Sequence, residues 1–392
     1  MGTSVDLWIE YLLRFSHLVA GIAWIGSSFY FIWLDSSFLP PEKPRKNVEG
    51  ELYMVHGGFY YQVEKRKIYP GELPKILHWF KWEATLTWVT GFLLLIFLYY
   101  LRGASLLIDH QVHPWTQGQA VALSLAIIAG SWLMYDFIWN ERFMKSKAVS
   151  VVLSIFFFAG MIFLNTSLFS GRGAFIQVGA IFGSMMLLNV WVRILPGQSK
   201  MIKEAQAGQV PDYSVSLKSK TRSVHNTYFT FPVLFIMLSN HYPSIYNHTH
   251  NWLLLILLTI SGACTRHAMV TKNPVERWVL FPAAMGLAAL VWMTGAPALS
   301  KTSAASITFE QIRPIIETRC LSCHSQHPTD DIFKVTPKSV VLETEQQVRS
   351  VADKIYQQVV VGKIMPLGNK TQMTDEERAR FHQWLNQEFK FQ

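Results

Sequence analysis

Two of the three cysteines lie close together in the stretch ETRCLSCHSQHP, and a histidine directly follows the second. The pattern Cys320-x-x-Cys323-His324 is the attachment signature of a c-type haem. In that chemistry both thiols form thioether bonds to the porphyrin, and the adjacent histidine binds the iron. The alternative is a redox dithiol or half of a zinc site, but the chain has no second cysteine pair to complete a zinc site. The motif therefore predicts one covalently bound haem c with His324 as the proximal ligand.

A methionine farther along the chain is the candidate for the sixth position on the iron. Met365 lies in the sequence VGKIMPLGN, about forty residues after His324, and a thioether ligand raises the haem potential, as suits an electron carrier. Met373 competes with it, although core packing is the more usual role of a methionine. The Gly-x-x-Met-Pro setting favours Met365. In this motif and spacing, residues 306–392 resemble class I cytochrome c domains.

The rest of the chain has the composition of a membrane protein. Half of the 392 residues are hydrophobic and 16% are charged, against about 25% in an average soluble domain. A helix needs about 20 mostly apolar residues to cross a bilayer. The windows that reach this length are residues 7–34, 83–101, 119–139, 149–169, 174–195, 225–242, 252–270 and 278–297. The sequence thus predicts an all-α fold, with a membrane domain of about eight transmembrane helices over residues 1–297, a linker at 298–305 and a small class I cytochrome c domain over 306–392.

The net charge of +9 lies entirely before residue 304, because residues 304–392 hold 11 basic and 11 acidic residues. The connections after the first, third, fifth and seventh windows carry 8, 3, 5 and 2 Lys and Arg, and those after the second, fourth and sixth carry 1, 1 and 0. Basic loops mark the cytoplasmic side of a membrane, which explains the charge without a nucleic-acid partner. The pattern predicts a bacterial inner-membrane protein with both termini, and the cytochrome domain, in the periplasm. Bacteria attach c-type haem in that compartment.

Polar and ionisable residues inside membrane spans are costly and are commonly functional. Helix directions place a group of them at the cytoplasmic ends of the spans or in the first loop. Interfacial charge pairing explains any single member, but their concentration at one depth on five helices favours a polar pocket. They are His56, His78, Glu83, Asp136, Arg193, Arg222, His225, Asn226, Arg266 and His267.

His17 lies in the middle or outer half of the first window, on one face with Gly21, Trp24 and Ser28. Small residues beside a histidine let a flat macrocycle approach, which would suit a b-type haem with His241 as a partner ligand. The same small residues would equally serve close packing against a neighbouring helix. Both interpretations remain open at the level of sequence.

Several segments of the chain resemble one family of bacterial membrane proteins. They are SHLVAGIAWIGSSFYF, HGGFYYQVEK, LHWFKWEATLTWVTG, SVHNTYFTFPVLFIMLSNHYP and RHAMV, followed by the cytochrome-like segment. Over nearly its whole length the chain resembles the integral-membrane cytochrome c urate oxidases of purine breakdown. The resemblance implies that urate is oxidised to 5-hydroxyisourate without making peroxide. It also implies that the electrons leave through the c-type haem to a soluble cytochrome or a terminal oxidase.

For a planar purine anion, the resemblance implies a site with cationic and amide donors, a base and aromatic walls. The candidates for proton transfer are His225, His267 and Glu83. The candidates for urate binding are Arg193, Arg222, Asn226, Trp82 and His56. All of these residues belong to the side of the membrane where cytoplasmic urate arrives.

Two other functions are compatible with the residues. One is a membrane-anchored cytochrome c module without a urate site, which carries electrons from quinol or a dehydrogenase to a terminal oxidase. The other is a haem-biosynthetic or transport protein, since histidine-bearing first helices also occur in other haem-binding membrane families. It has no evident use for a cytochrome domain. Reduction of the haem by quinol and not by urate would identify the first alternative.

Overall fold

The computed structural model of the protein describes residues 4–101, 104–140, 146–295 and 306–389. The predicted linker at 298–305 lies outside these ranges. Helices dominate the described residues, and one β-hairpin follows the first helix.

Ten α-helices are described before residue 296, in what we call the N-terminal segment. Their bounds are α1 Ser4–Ser37, α2 Trp82–Leu95, α3 Gln117–Ile138, α4 Lys147–Leu168, α5 Gly171–Leu188, α6 Leu195–Gln206, α7 Ser214–Ser239, α8 Pro243–Tyr246, α9 Asn251–Val270 and α10 Leu280–Thr294. A π-helical turn at Ile96–Tyr100 extends α2, and a second one at Asn189–Ile194 joins α5 to α6.

Seven helices in the described residues are long and apolar enough to cross a membrane. They cover seven of the eight predicted windows, so the chain fits a multi-pass membrane protein with a largely helical fold. The exception is the sixth window, residues 225–242, most of which lies on α7. This helix has 26 residues, but it begins with the polar run SVSLKSKTRSVHN, which lowers its mean hydropathy.

The loop after α1 contains a β-hairpin that the sequence analysis did not predict. The strands β1 (Val48–His56) and β2 (Phe59–Arg66) pair in antiparallel orientation. The two turn residues, Gly57 and Gly58, have φ values of +61° and +82°. A two-residue hairpin turn requires this left-handed geometry, and glycine adopts it without strain.

The hairpin marks one end of the helix bundle, which we call the hairpin face. Lys65 of β2 pairs with Asp35 at the end of α1, and Lys272, just after α9, donates to the backbone carbonyl of Asp35 over 3.2 Å. Tyr213, just before α7, donates to the carbonyl of Ile68 over 2.8 Å. The end of α1, the start of α7 and the end of α9 therefore meet at this face.

The helix α5 is the most deeply buried of the candidate spans. It contacts α2, α3, α4 and α7, and its buried residues lie on most of its sides, as in a helix surrounded by other helices. A Cβ atom at Gly179 would lie 2.8 Å from Ile236 Cγ2 of α7, so glycine permits the close approach of these two helices. Trp88 of α2 donates from Nε1 to Ser184 Oγ over 2.9 Å. These contacts fix α5 as the centre of the bundle.

The C-terminal segment, residues 306–389, has its own apolar core, in which Ile312, Phe381 and Trp384 are fully buried. A capping box is present at the start of its last helix. The Glu377 N–H donates to Thr374 Oγ1 over 3.2 Å, and the Thr374 N–H donates to Glu377 Oε2 over 2.8 Å. The helices of this segment are α11 Phe309–Arg319, α12 Glu345–Ser350, α13 Ala352–Ile355 and α14 Asp375–Phe389.

The C-terminal segment contacts the end of the bundle opposite the hairpin, which we call the docked face. Gln111, between α2 and α3, donates to the carbonyl of Met373 over 3.4 Å, and Asn247, after α8, donates to the carbonyl of Gly362. A Cβ atom at Gly368 would lie 2.8 Å from a backbone carbonyl oxygen of the connection after α2. The stretch from Gly362 to Met373 therefore forms the contact.

Candidate functional site

Seven of the polar residues predicted for the cytoplasmic ends of the spans lie near the hairpin face, in two groups that each include residues of α7. The α3 cluster consists of Tyr135, Asp136, Asn189, Arg193, Arg222, His225 and Asn226. The α9 cluster consists of Phe29, Tyr228, Arg266, His267 and Glu276. The helix α7 supplies members to both clusters, so its contacts divide the predicted pocket into two.

A carboxylate between two guanidinium groups forms the centre of the α3 cluster. Asp136, in the last turn of α3, accepts from Arg193 Nε over 2.8 Å and from Arg222 Nη2 over 2.9 Å. Arg222 is buried and also donates to the carbonyl of Trp139 over 3.2 Å, where the end of α3 favours a cation. Arg193 leaves 38% of its side chain exposed. The two cations and one carboxylate leave a positive charge near the hairpin face.

Amide and phenol groups continue the α3 cluster into the bundle. The Tyr135 hydroxyl lies 2.7 Å from His225 Nδ1 and accepts from Asn189 Nδ2 over 3.0 Å. Asn189 Nδ2 also donates to Asn226 Oδ1 over 2.8 Å, and Asn226 Nδ2 donates to a backbone carbonyl of α5 over 2.9 Å. Within the described residues, Asn189 Oδ1 and Arg222 Nη1 are buried without a partner. The other contacts hold these side chains in one arrangement.

A carboxylate, an imidazole and a phenol form a chain in the α9 cluster. Glu276 Oε2 lies 3.3 Å from His267 Nε2, and the Tyr228 hydroxyl lies 2.7 Å from His267 Nδ1. Since a carboxylate accepts, His267 carries its proton on Nε2 and accepts from the phenol at Nδ1. The Tyr228 and His267 rings are stacked with centroids 5.8 Å apart. Because 47% of the Glu276 side chain is exposed, the chain connects the bundle with the solvent.

Arg266, next to His267 on α9, is a buried cation with no carboxylate partner among the described residues. It is 2% exposed, and its Nε and Nη2 atoms have no acceptor there. The guanidinium carbon lies 3.7 Å from the centroid of the Phe29 ring of α1. Phe29 in turn contacts Phe231 of α7 edge to face, with centroids 5.9 Å apart. The helices α1, α7 and α9 thus enclose a cation among aromatic rings.

Three of the predicted site residues make their contacts outside both clusters. Trp82 is 58% exposed, and its ring contacts that of Trp191 with centroids 6.1 Å apart. His56 ends β1 at the hairpin turn and is exposed. Glu83 lies in the first turn of α2, and its Oε2 atom is buried without a partner within the described part of the chain. These residues are therefore not brought together with the two clusters.

His17 lies against α2. Its Nδ1 atom is 2.9 Å from the carbonyl oxygen of Thr87 and 3.2 Å from Thr90 Oγ1. A Cβ atom at Gly91 would lie 2.8 Å from His17 Cε1, so this glycine makes room for the imidazole. His241 follows α7 at the docked face, where its N–H donates to a carbonyl in the last turn of that helix. The contacts of His17 are those of helix packing, and a b-type haem at these histidines stays a prediction.

The Cys-x-x-Cys-His motif follows directly on α11. His324 Nδ1 lies 2.8 Å from the carbonyl oxygen of Val340, so the ring donates there and leaves Nε2 available as a metal ligand. Burial of the thiol raises the pKa of Cys320 to about 12, although the residue as a whole is half-buried. Burial also raises the pKa of the Cys323 thiol. Both thiols are therefore protonated, whereas a redox dithiol needs a low thiol pKa.

The two candidate methionines have different positions in the C-terminal segment. Met373 is 1% exposed and belongs to the apolar core. Met365 is half-buried at the margin of that core, and its carbonyl accepts from Arg378 Nη1 over 2.7 Å. The backbone around Met365 is thereby held in place, while its thioether is not part of the buried core. The assignment of Met365 as an iron ligand stays a prediction.

Sequence reasoning missed five residues that complete the two clusters. The signal for two of them was present, because Tyr135 precedes Asp136 and Tyr228 lies one helical turn after His225. A helix places residues three apart on neighbouring positions of its surface. Nothing in the sequence connects Phe29 or Glu276 with their partners. The missed residues are Tyr135, Asn189, Tyr228, Phe29 and Glu276.

Residues 3–295 match the family described as Urate oxidase N-terminal. The match confirms the resemblance found in the sequence of the N-terminal segment. No curated protein and no solved structure matches the chain.

Proposed function

The chain belongs to the urate oxidase N-terminal family, and on that premise we propose that it is a membrane-bound enzyme that oxidises urate in its N-terminal segment. The product is 5-hydroxyisourate, and the electrons pass to a haem held covalently by the C-terminal segment. The family match carries this proposal, because it alone identifies the substrate. Contacts at the hairpin face support it.

The unpaired donors of the hairpin face suit a planar anion. Arg222 Nη1 and the Nε and Nη2 atoms of Arg266 are buried N–H groups without acceptors in the described residues. A buried donor without an acceptor is costly, and such groups commonly face a ligand or an ion. The oxygen atoms and negative charge of urate would satisfy the donors of the cluster that binds it. Urate is small enough to be held between helices by a few such contacts.

The reaction removes two electrons and two protons from urate, and a water molecule supplies the new hydroxyl group. Proton transfer requires a group within hydrogen-bond reach of the substrate. Each cluster holds a phenol bonded to an imidazole, Tyr135 with His225 and Tyr228 with His267, and both distances are 2.7 Å. These pairs are the proton-accepting groups that the hairpin face offers.

The C-terminal segment fits a covalently bound haem. The Nδ1 contact of His324 with Val340 leaves Nε2 for the iron, and Cys320 and Cys323 are free thiols in the structure. Met365, outside the buried core, is the proposed distal ligand. When bound, the haem accepts electrons one at a time and delivers them to a soluble cytochrome or a terminal oxidase.

The two faces of the bundle support a directional path for the electrons. The hairpin face carries the positively charged loops, so we place it in the cytoplasm of a bacterium. The C-terminal segment contacts the docked face at Gln111 and Asn247, and we propose that this face lies in the periplasm. Urate is thus oxidised from the cytoplasmic side, and electrons leave on the other side.

An anaerobic visible spectrum of the purified protein tests the proposal. Urate should convert the oxidised haem spectrum to the reduced one, and allantoin, an already oxidised and ring-opened purine derivative, should leave it unchanged. The haem should remain with the denatured polypeptide on a gel. The double variant Cys320→Ala with Cys323→Ala should lose it.

Two results would contradict the proposal. Reduction by quinol but not by urate would favour the membrane-anchored electron-transfer module. Haem that extracts freely into acidic acetone from the unaltered protein would reject covalent attachment.

A further inference from the structure

We propose that urate binds in the α9 cluster, between α1, α7 and α9, with Arg266 as its anion anchor and Tyr228 as its proton acceptor. This inference rests on the proposed function and narrows the site to one of the two clusters. The sequence analysis favoured Arg193 and Arg222 of the α3 cluster as the binding residues. The carboxylate partners of these arginines instead favour Arg266 of the α9 cluster as the binding residue.

The cations of the two clusters differ in what neutralises them. Arg193 and Arg222 share the carboxylate of Asp136, and Arg222 also donates to the end of α3. Arg266 has no carboxylate partner among the residues that the structure describes, and it is 2% exposed. A buried charge is normally paired, because desolvation strongly disfavours an isolated one. The Nε and Nη2 donors of Arg266 could therefore bind the oxygen atoms of a negatively charged ligand.

The neighbours of Arg266 include aromatic rings and a carbonyl group that a flat ring could contact. Phe29, Phe231 and Tyr228 present aromatic rings from α1 and α7. Pro232 has no N–H, so the carbonyl of Tyr228 lacks the donor that a regular helix would supply four residues later. An N–H group of a purine can donate to that carbonyl while the ring oxygens accept from Arg266. The site thus offers a cation, an acceptor and stacking surfaces together.

The chain of Tyr228, His267 and Glu276 supplies the proton path. Tyr228 transfers its hydroxyl proton to His267 Nδ1 as its oxygen takes a proton from a urate N–H group. The imidazolium that forms is stabilised by Glu276 at Nε2, in the manner of a carboxylate–histidine pair. Its proton then passes to the exposed Glu276 carboxylate and to water at the hairpin face. This relay carries one proton out of the bundle and leaves His267 protonated on Nδ1, so exchange of its ring protons with water restores the Nε2 tautomer before the next cycle.

The binding test uses the full-length protein in detergent and urate under anaerobic conditions, with calorimetry as the measurement. Arg266→Gln should raise the Kd of urate by about 10- to 100-fold, the value of a lost charge-assisted hydrogen bond. Arg222→Gln should change it by no more than about threefold. The matched control is Arg172→Gln, because Arg172 bonds to Asn240 at the docked face, and it should leave the Kd unchanged.

The rate test separates the proton acceptor from a structural residue. Tyr228→Phe keeps the ring and should leave the Kd of urate within about twofold, but it should slow haem reduction by about 100-fold or more. Should Arg266→Gln fail to reach the membrane, this split between binding and rate still tests the site. An unchanged rate in Tyr228→Phe would overturn the assignment of the proton acceptor.

The outcomes distinguish this inference from the proposed function. Binding that weakens in Arg222→Gln and not in Arg266→Gln would overturn the choice of cluster and leave the function intact. An unaltered protein that neither binds urate nor is reduced by it would overturn both.

Discussion

The two clusters at the hairpin face differ in whether their buried arginines have a carboxylate partner. In the α3 cluster Asp136 lies between Arg193 and Arg222, and the adjoining amide and phenol groups bond to one another. In the α9 cluster Arg266 is buried without a carboxylate partner in the described part of the chain, and Glu276 is bonded to His267 instead. The helix α7 supplies residues to both clusters.

The difference indicates what each cluster does. Paired charges at helix ends hold α3, α5 and α7 in register, since each bond joins side chains from different helices. An unpaired buried cation costs stability and persists where a ligand supplies the missing charge. The C-terminal segment repeats the paired arrangement at Asp330, which accepts from Lys370 over 2.7 Å. Loss of a buried paired charge should therefore lower the stability of the protein, and loss of the unpaired one should not.

The largest effect is expected for Asp136→Asn. The substitution leaves Arg193 and the buried Arg222 without a counter-charge, which should lower the free energy of unfolding by about 3–5 kcal/mol. Thermal unfolding of the purified protein in detergent measures this. Asp35→Asn is the matched control, because the Asp35 side chain is 43% exposed in its pair with Lys65 and should contribute at most about 1 kcal/mol. Equal effects of the two substitutions would contradict the structural role of the α3 cluster.

Hydropathy predicted the spans well because a bilayer demands continuous apolar runs, and seven windows coincide with helices of that kind. The depth of the polar residues could be predicted too, since helix direction alternates along the chain. The rotation of α7 about its axis could not. That rotation sends His225 towards Tyr135 and Tyr228 towards His267, and it arises from side-chain packing that no single helix encodes.

The β-hairpin was also not predicted, although its sequence contains a recognisable hairpin pattern. The run before Gly57 and the run after Gly58 are rich in β-branched and aromatic residues, and a Gly-Gly pair between two such runs is a hairpin signature. The apolar windows on either side predicted helices, and no strands were predicted between them. In the C-terminal segment, by contrast, Thr374 and Glu377 mark the start of α14 in the sequence itself, since a capping box is a purely local pattern.

Acid should weaken the ion pair between Asp330 and Lys370 of the C-terminal segment. The expected loss of stability lies between the effects of the other two predictions. Burial would raise the pKa of Asp330, but Lys370 and the N–H groups of Ile332 and Phe333 outweigh it and hold the pKa at about 2. Because the folded pKa lies below the unfolded one, the contribution is complete above about pH 4 and is lost as the pH falls towards 2. The loss amounts to about 2 kcal/mol.

Hydrogen exchange of the amides in residues 306–389 of the intact protein, compared at pH 5 and pH 3, measures this change. Lys370→Met should lose most of the pH dependence between these values. Asp331→Asn is the control, because Asp331 also contacts Lys370 but its side chain is 77% exposed. A pH dependence that survives in Lys370→Met would show that another group is responsible.

The smallest expected change in the free energy of unfolding is an increase, and it best distinguishes the two clusters. Arg266→Met keeps the length and apolar contacts of the side chain against Phe29 but removes a buried charge that has no counter-charge among the described residues. The free energy of unfolding should therefore rise by about 1 kcal/mol, while urate binding is lost. Arg222→Met is the matched change in the α3 cluster and should lower stability, because it removes three bonds to the end of α3. Thermal unfolding without urate compares the two. If Arg266→Met destabilises the protein as much as Arg222→Met, then Arg266 is a structural cation like those of the α3 cluster.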